Sequence, residues 1–282
     1  MSFTIMNIRE IKDKIRILKK NFRKIETNFY PGMADDLQEA KLFENEKALV
    51  FIIAEPNRNR AFFAFADTDS LIELLLKIPE GTVIEYVCKK ENPLKDVFIN
   101  NYMEHYATYI RDTICYSDNP FTIPEKGRRK LLTDMYDPTC GEYAQKKDIV
   151  QLYKITRETF DPLCDDVFSM EEWHKIIDNK ECILYREDDQ IIAFYVYRLE
   201  GKKLYSNLSV NRGAANYLYN LERRIFEEMY NKGIRIFYAW YNSENFKELR
   251  RGNPDAIKAI KSQEKIYNYI FIKNKKLRGK EN

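Results

Sequence analysis

Near the start of the chain apolar residues recur at spacings of three and four: Ile8, Ile11, Ile15, Leu18, Phe22, Ile25 and Phe29, with Lys and Arg between them. That spacing places them on one helical face and predicts a helix over 6–28, stopped at Pro31 and Gly32. A short second helix is expected over 34–43. The period then changes. ALVFIIAE is a continuous apolar run, PNRNR is polar and AFFAFA is apolar again, the grammar of a hairpin. Asp67 to Ser70 offer N-cap side chains for a helix over LIELLLKI, ended by Pro79 and Gly81. TVIEYVCKK reads as a strand, and Pro93 as the opening of a helix to about Arg111.

Residues 117–147 are rich in Pro, Gly and charge and read as a connector, with one helical turn near Leu131. They divide the chain into a domain at 1–125, a connector at 126–146 and a second domain at 147–282. The second half opens with a helix from Asp148 to Phe160. Ser169 and Glu172 form a capping-box pattern that starts a helix at Met170. ECILYRED and QIIAFYVYRLE make a hairpin. A last helix broken by Gly252 and Pro254 precedes a closing strand, KIYNYIFIK. The two halves repeat one order of elements, which suggests a duplicated architecture.

The stretch 203–245 organises the second half. In KLYSNLSV, Leu204, Ser206, Leu208 and Val210 alternate with Tyr205, Asn207 and Ser209, as in a strand with one buried face. Asn211, Arg212, Gly213, Ala214, Ala215 and Asn216 form a small-residue loop. A helix follows with Leu218, Leu221, Ile225, Phe226 and Met229 on one face and Gly233 at its stop. IRIFYAWYN is then a strand. A strand opening through such a loop into a helix leaves backbone amides and the helix dipole facing out, which suits a pyrophosphate. An ordinary βαβ turn has the same pattern.

Composition narrows the classes. The chain has 282 residues, 44% of them hydrophobic, enough for two domains or one large one with a full core. No stretch approaches the roughly 20 apolar residues that span a bilayer. The charged start lacks an export signal, and five cysteines without a CxxC pair fit reduced thiols, so the expected location is cytoplasmic. A formal charge of +3 does not imply broad nucleic-acid binding. The basic clusters at Arg223–Arg224, at Arg250–Arg251 and from Lys273 to Lys280 read first as solvated, with phosphate contact as the other reading. Arg223 or Arg224 is expected to face solvent and pair with Glu227 or Glu228. His105 and His174 stand far apart, so no metal site is expected. His174, beside Trp173, reads as a partly buried or capping side chain rather than a base. The acids around Cys164 argue against a nucleophile.

On this order of elements, residues 148–273 resemble the GNAT acyltransferase superfamily. Its loop signature is Arg or Gln, two residues, Gly, one residue, then Gly or Ala. In one register Arg212 and Gly213 fit the frequent Arg-Gly start, whereas Ala215 and Tyr217 stand where small signature residues belong; in the other Gly213 and Ala215 are the two small residues and Val210 stands in place of the Arg or Gln. The resemblance implies an α/β fold of two GNAT-like domains in tandem, each a mixed central sheet flanked by helices, the first degenerate and binding no CoA. There, Asp67 and Asp69 stand in place of a glycine loop, and the domain would form one wall of an acceptor cleft. It implies acetyl-CoA or another acyl-CoA as co-substrate, held by Leu208, Val210, loop residues 211–216, Asn242 and Asn245. It places Asn242 at the family's Asn, with Asn245 and Leu249 where an Ala and a Tyr usually follow. The usual general acid being replaced, Tyr241 and Tyr205 are the candidates, and a water relayed through Ser206 or Ser209 replaces the base. Asp161, Asp165 and Asp166 fall where such proteins bind the acceptor, against a reading as a solvated loop. The implied activity is transfer of an acyl, usually acetyl, group to a small-molecule or peptide amine. The donor is CoA or the phosphopantetheine thioester of an acyl carrier protein. A silent module binding a peptide or partner protein and an aminoacyl-tRNA-dependent transferase are the alternatives.

Overall fold

The structure, a computed structural model, describes residues 3–30, 32–89, 94–115, 134–243 and 266–274. The helical turn expected near Leu131 and the helix expected around Gly252 and Pro254 lie outside these. Among the described residues the chain forms two compact units. One takes residues up to Ile110 together with the strand Ile266–Lys273, and the other takes Arg111–Tyr241.

The first unit begins with strand β1 (Thr4–Asn7) and helix α1 (Ile8–Asn21). Asn7 caps the helix by accepting from Glu10 N at 2.9 Å, while Glu10 accepts from Asn7 N at 3.1 Å. The helix is shorter than its apolar spacing predicts. At Phe22 the backbone is extended (φ −126°, ψ 132°), and Glu26–Thr27 form a short strand, β2. Phe22, Ile25 and Phe29 keep the helical spacing because they reach the same core as Ile11 and Ile15, though from extended chain. The expected second helix is instead β3 (Glu39–Glu44), whose Ala40, Leu42 and Phe43 are buried.

The hairpin is present as β4 (Ala48–Ala54) and β5 (Asn59–Phe65). Helix α2 (Thr68–Leu75) follows, capped by the Asp67 carboxylate, and then β6 (Thr82–Cys88). Helix α3 covers only Lys95–Asn100. Tyr102 takes a left-handed φ of 66° and reverses the chain into β7 (Met103–Cys115), so the helix expected to reach Arg111 is mostly strand. Strand order is β1-β3-β4-β5-β6, with β2 added on β5. The closing strand β13 (Ile266–Lys273) pairs antiparallel with β6, from Tyr267↔Cys88 to Ile272↔Val83. The sequence order assigns that strand to the second half. Its Ile270 and Phe271 are fully buried, and Phe271 belongs to the core formed by α2, α3, β4, β5 and β6. Lys273, expected in a solvated basic tail, is also buried, and its Nζ donates to Asn101 O at 3.1 Å.

The second unit contains β8 (Glu142–Tyr143), α4 (Ile149–Thr159), α5 (Met170–Asp178), β9 (Cys182–Glu187), β10 (Gln190–Glu200), β11 (Lys203–Asn211), α6 (Ala215–Asn231) and β12 (Ile236–Asn242). Ser169 caps α5 with Glu172 closing the box, as its sequence implies. Strand order is β12-β11-β10-β9-β8. Helices α4 and α5 cover one face through Leu152, Ile155, Trp173 and Ile177. Helix α6 covers the other through Leu221, Ile225 and Met229. Burial of such side chains stabilises the unit by about 1.5–3 kcal/mol each.

Three side-chain contacts hold the entry to this unit. The Arg224 guanidinium donates to Cys140 O at 3.1 Å and Gly141 O at 2.6 Å, rather than facing solvent beside Glu228. Arg223 does make the expected pair with Glu227, at 2.9 Å, but with its side chain 12% exposed under the Tyr136 ring. Asp148, 2% exposed, pairs with Arg186 at 2.5 Å.

Candidate active site

The alternation in KLYSNLSV does not lie on one face. In the β10–β11 register Tyr197 opposes Ser206 and Val196 opposes Leu208, so Asn207 is an extra residue, a β-bulge. The bulge switches the strand's facing. Leu204 packs in the α6 core, whereas Leu208 and Val210 pack with α4 and α5. The Asn207 Oδ1 atom is buried and has no hydrogen-bond partner among the described residues.

The bulge coincides with a parting of strands. β11 and β12 pair in parallel from Lys203↔Ile236 to Ser206↔Ala239. Past that pair β11 runs on to Asn211 and β12 to Asn242 with no further pairing between them. Strands that part in this way leave a gap between them wide enough in principle for an extended ligand carrying amide groups.

The slot leads to the loop before α6. Asn211 shapes the turn: its Oδ1 accepts from Gly213 N at 3.1 Å and its Nδ2 donates to Ala214 O at 3.1 Å. Arg212 N donates to Ile192 O at 2.8 Å, and its guanidinium meets Glu158 at 3.2 Å. Two loop amides are therefore satisfied within the protein. No side chain caps α6 at Ala214, and of the amides in its first turn that of Tyr217 donates to Ala214 O at 3.1 Å, so only part of the anion-binding character of a helix start is kept.

Tyr217 lies over this loop. Its ring stacks on Tyr185 at 4.1 Å, and its hydroxyl donates to Glu187 at 2.5 Å. A Cβ on Gly213 would come within 2.9 Å of the Tyr217 ring and 2.5 Å of Ile192 Cγ2. Gly213 thus makes room for Tyr217. Asn242 ends β12, half-buried, while Asn245, Leu249, Arg250 and Arg251 lie outside the described residues.

The two candidate acids lie on opposite faces. Tyr205 stacks on Tyr238, with centroids 4.9 Å apart, and burial followed by Asp166 and Tyr238 holds its phenol well above the usual range. Arg198 lies over Tyr205 at 5.6 Å, and the Tyr238 hydroxyl donates to Glu200. Tyr241 interacts instead with Glu222 on α6; its phenol is raised by burial, then by Glu222 and Asp112. In the loop before α5, Asp165 accepts from Asp161 N at 2.9 Å and Asp161 accepts from Leu163 N at 2.9 Å. These two carboxylates close the loop's own turn, and Asp166 acts on Tyr205. His174 is exposed on α5 rather than partly buried.

Glu222 is the group that sequence reasoning missed. It stands on the sheet-facing side of α6, one turn before Phe226, whose ring packs 4.9 Å from Phe237 of β12. Because α6 runs against β12, stepping back one turn moves toward the end of that strand and Tyr241. Burial alone pushes the Glu222 carboxyl up to about 7. It also acts on the fully buried Tyr195 of β10. A carboxyl that titrates near neutrality beside a phenol that keeps its proton suits proton transfer. The spacing offered a signal: Leu218, Ile225 and Phe226, three or four residues away, are all apolar.

No family model and no curated protein sequence matches the chain. Among solved structures, a GCN5-related N-acetyltransferase from Sphaerobacter thermophilus matches with a TM-score of 0.53 at 13% identity, covering 85% of this chain and 82% of its own. The fold is that of the GNAT acetyltransferases. A GNAT-family acetyltransferase from Colwellia psychrerythraea covers 97% of this chain and 100% of its own, with a TM-score of 0.47 at 11% identity. The GNAT fold accounts for the mixed sheet and the helix that follows its diverging strand. Among the described residues there is no group of side chains suited to a metal ion, and no helix is long and apolar enough to cross a membrane.

Proposed function

We propose that the chain is an N-acyltransferase whose thioester donor lays its pantetheine arm between β11 and β12, beside Leu208 and Val210. The observation that carries this reading is the parting of the two strands after Ser206↔Ala239, with the bulge at Asn207 beside it. The arm would lie along the β11 backbone where the two strands diverge. The acceptor amine attacks the thioester carbonyl, the C–S bond breaks, and the thiolate takes a proton as the amine loses one. Tyr241 is the donor to the thiolate, and Glu222, across from it, exchanges that proton with solvent. Holding amine and thioester together supplies much of the rate.

Isothermal titration with acetyl-CoA tests the reading. Binding that is lost in Val210→Trp is expected; no heat with acetyl-CoA or with an acylated carrier protein overturns it. A second reading has its own support at the loop. Tyr217, Glu187 and Glu158 surround the helix start with a ring and two carboxylates, which disfavours a diphosphate. A carrier-protein donor, or a partner peptide in a catalytically silent module, fits that arrangement better than free CoA does. Binding of an acylated carrier protein with little response to acetyl-CoA would select the carrier.

A further inference from the structure

The first unit has an opening of the same kind, and it is filled. β5 and β6 pair in parallel from Asn59↔Thr82 to Ala61↔Ile84, after which β5 continues to Phe65 and β6 to Cys88. This repeats the relation of β11 to β12. Between the parted strands runs the chain's own segment Glu26–Phe29. Glu26 and Thr27 pair antiparallel with Phe65 and Ala64 of β5. The Thr27 hydroxyl donates to Phe63 O at 2.7 Å. Asn28 then bridges the opening. Its Oδ1 accepts from Phe63 N at 2.6 Å, and its Nδ2 donates to Ala61 O at 3.3 Å and to Glu85 O of β6 at 2.9 Å. One carboxamide thus satisfies backbone groups of both strands while only 4% exposed. Phe29 anchors the segment against Phe51 and Phe62, at 5.1 and 5.4 Å. Glu85 is fixed in turn by Arg58 at 2.9 Å and Arg60 at 3.0 Å. Among the described residues of the second unit no strand takes the corresponding place, and β2 on β5 is the only pairing off the main strand path.

We infer that residues 26–29 occupy, in cis, the slot that an amide-bearing arm takes in the second unit, so the protein has one donor site per chain. The inference deepens the acyltransferase reading and rests on it for the identity of the arm. Asn28 supplies an amide N–H donor and a carbonyl acceptor to facing strands, which are the groups a pantetheine arm offers. The first unit is thereby a scaffold whose slot is closed by chain rather than by ligand.

Two measurements test this. Acetyl-CoA or acyl-carrier titration is expected to give one site per wild-type chain and none in Val210→Trp. Two sites, or binding that survives Val210→Trp, overturns the inference. No binding at all removes the donor reading and leaves the second measurement to decide. In hydrogen exchange, the Phe63 amide is expected to be protected at least 1,000-fold in the wild type, to exchange at least tenfold faster in Asn28→Ala and to stay protected in Asn28→Asp, which keeps the acceptor oxygen. Exchange at Phe63 near the free-peptide rate in the wild type, or unchanged in Asn28→Ala, overturns the closure whatever the donor.

Discussion

Replacing Glu222 by Gln should change how stability depends on pH, in a direction set by burial. The carboxyl moves from an ordinary 4.5 to about 7 in the folded protein. Between those values the folded state holds a proton that the unfolded state has released, so stability falls as pH rises through this window and is level above it. A tenfold change in acid dissociation is worth about 1.4 kcal/mol, so the whole effect is about 3 kcal/mol. Gln keeps the shape and does not titrate. The variant should therefore match the wild type within about 1 kcal/mol at pH 4.5 and exceed it by about 3 kcal/mol at pH 8. Urea unfolding of both proteins at pH 4.5, 6, 7 and 8 measures this, and taking the difference removes every other titrating group. A constant difference across that range would show that Glu222 ionises normally and would remove it from the proton path to Tyr241. On the proposed reaction the same variant should also flatten the pH profile of kcat near neutrality.

Three further outcomes follow from packing. Gly141 has φ +81°, and a Cβ there would lie 2.2 Å from Leu221 Cδ2 and 3.0 Å from Leu184 O; Gly141→Ala should cost about 3 kcal/mol or more by thermal unfolding. Gly213→Ala meets only side-chain atoms, at Ile192 and Tyr217, and should cost about 1–2 kcal/mol, with the Tyr217–Tyr185 stack loosened in near-ultraviolet circular dichroism. Asp148→Ala leaves the Arg186 cation with Glu142 alone and removes the acceptor for Gln145 N, so chemical denaturation at pH 7 should show a loss of about 3 kcal/mol.

What the sequence disclosed depended on whether local rules and tertiary packing agreed. They agree at β4 and β5, where two apolar runs flank a polar turn, and at Ser169, where the cap and its Glu172 partner lie three residues apart. They part company at Phe22, Ile25 and Phe29, which keep a helix period while filling the same core from non-helical backbone. The span Met103–Cys115 carries the aromatic and β-branched residues of a strand, but the Pro93 signal favours a helix, and the left-handed turn at Tyr102 decides the matter. The site suffers from the same limit. Arg212 and Gly213 mark the loop, yet the bulge at Asn207 has no residue signature, so an unbroken alternation conceals a change of face. Glu222 reads as one more charged helix residue until its apolar neighbours are counted.

The pairing of β13 with β6 has a consequence for biosynthesis. A chain emerging from the ribosome makes α1 through β6 early, but the strand that covers β6 and supplies Phe271 to that core comes after the whole second unit. Nascent protein must carry an open, apolar sheet edge through most of its translation, a condition that invites mispairing. The first unit cannot finish before the second has been made. Vectorial folding from the N-terminus, the usual order for two-unit chains, is reversed in its final step.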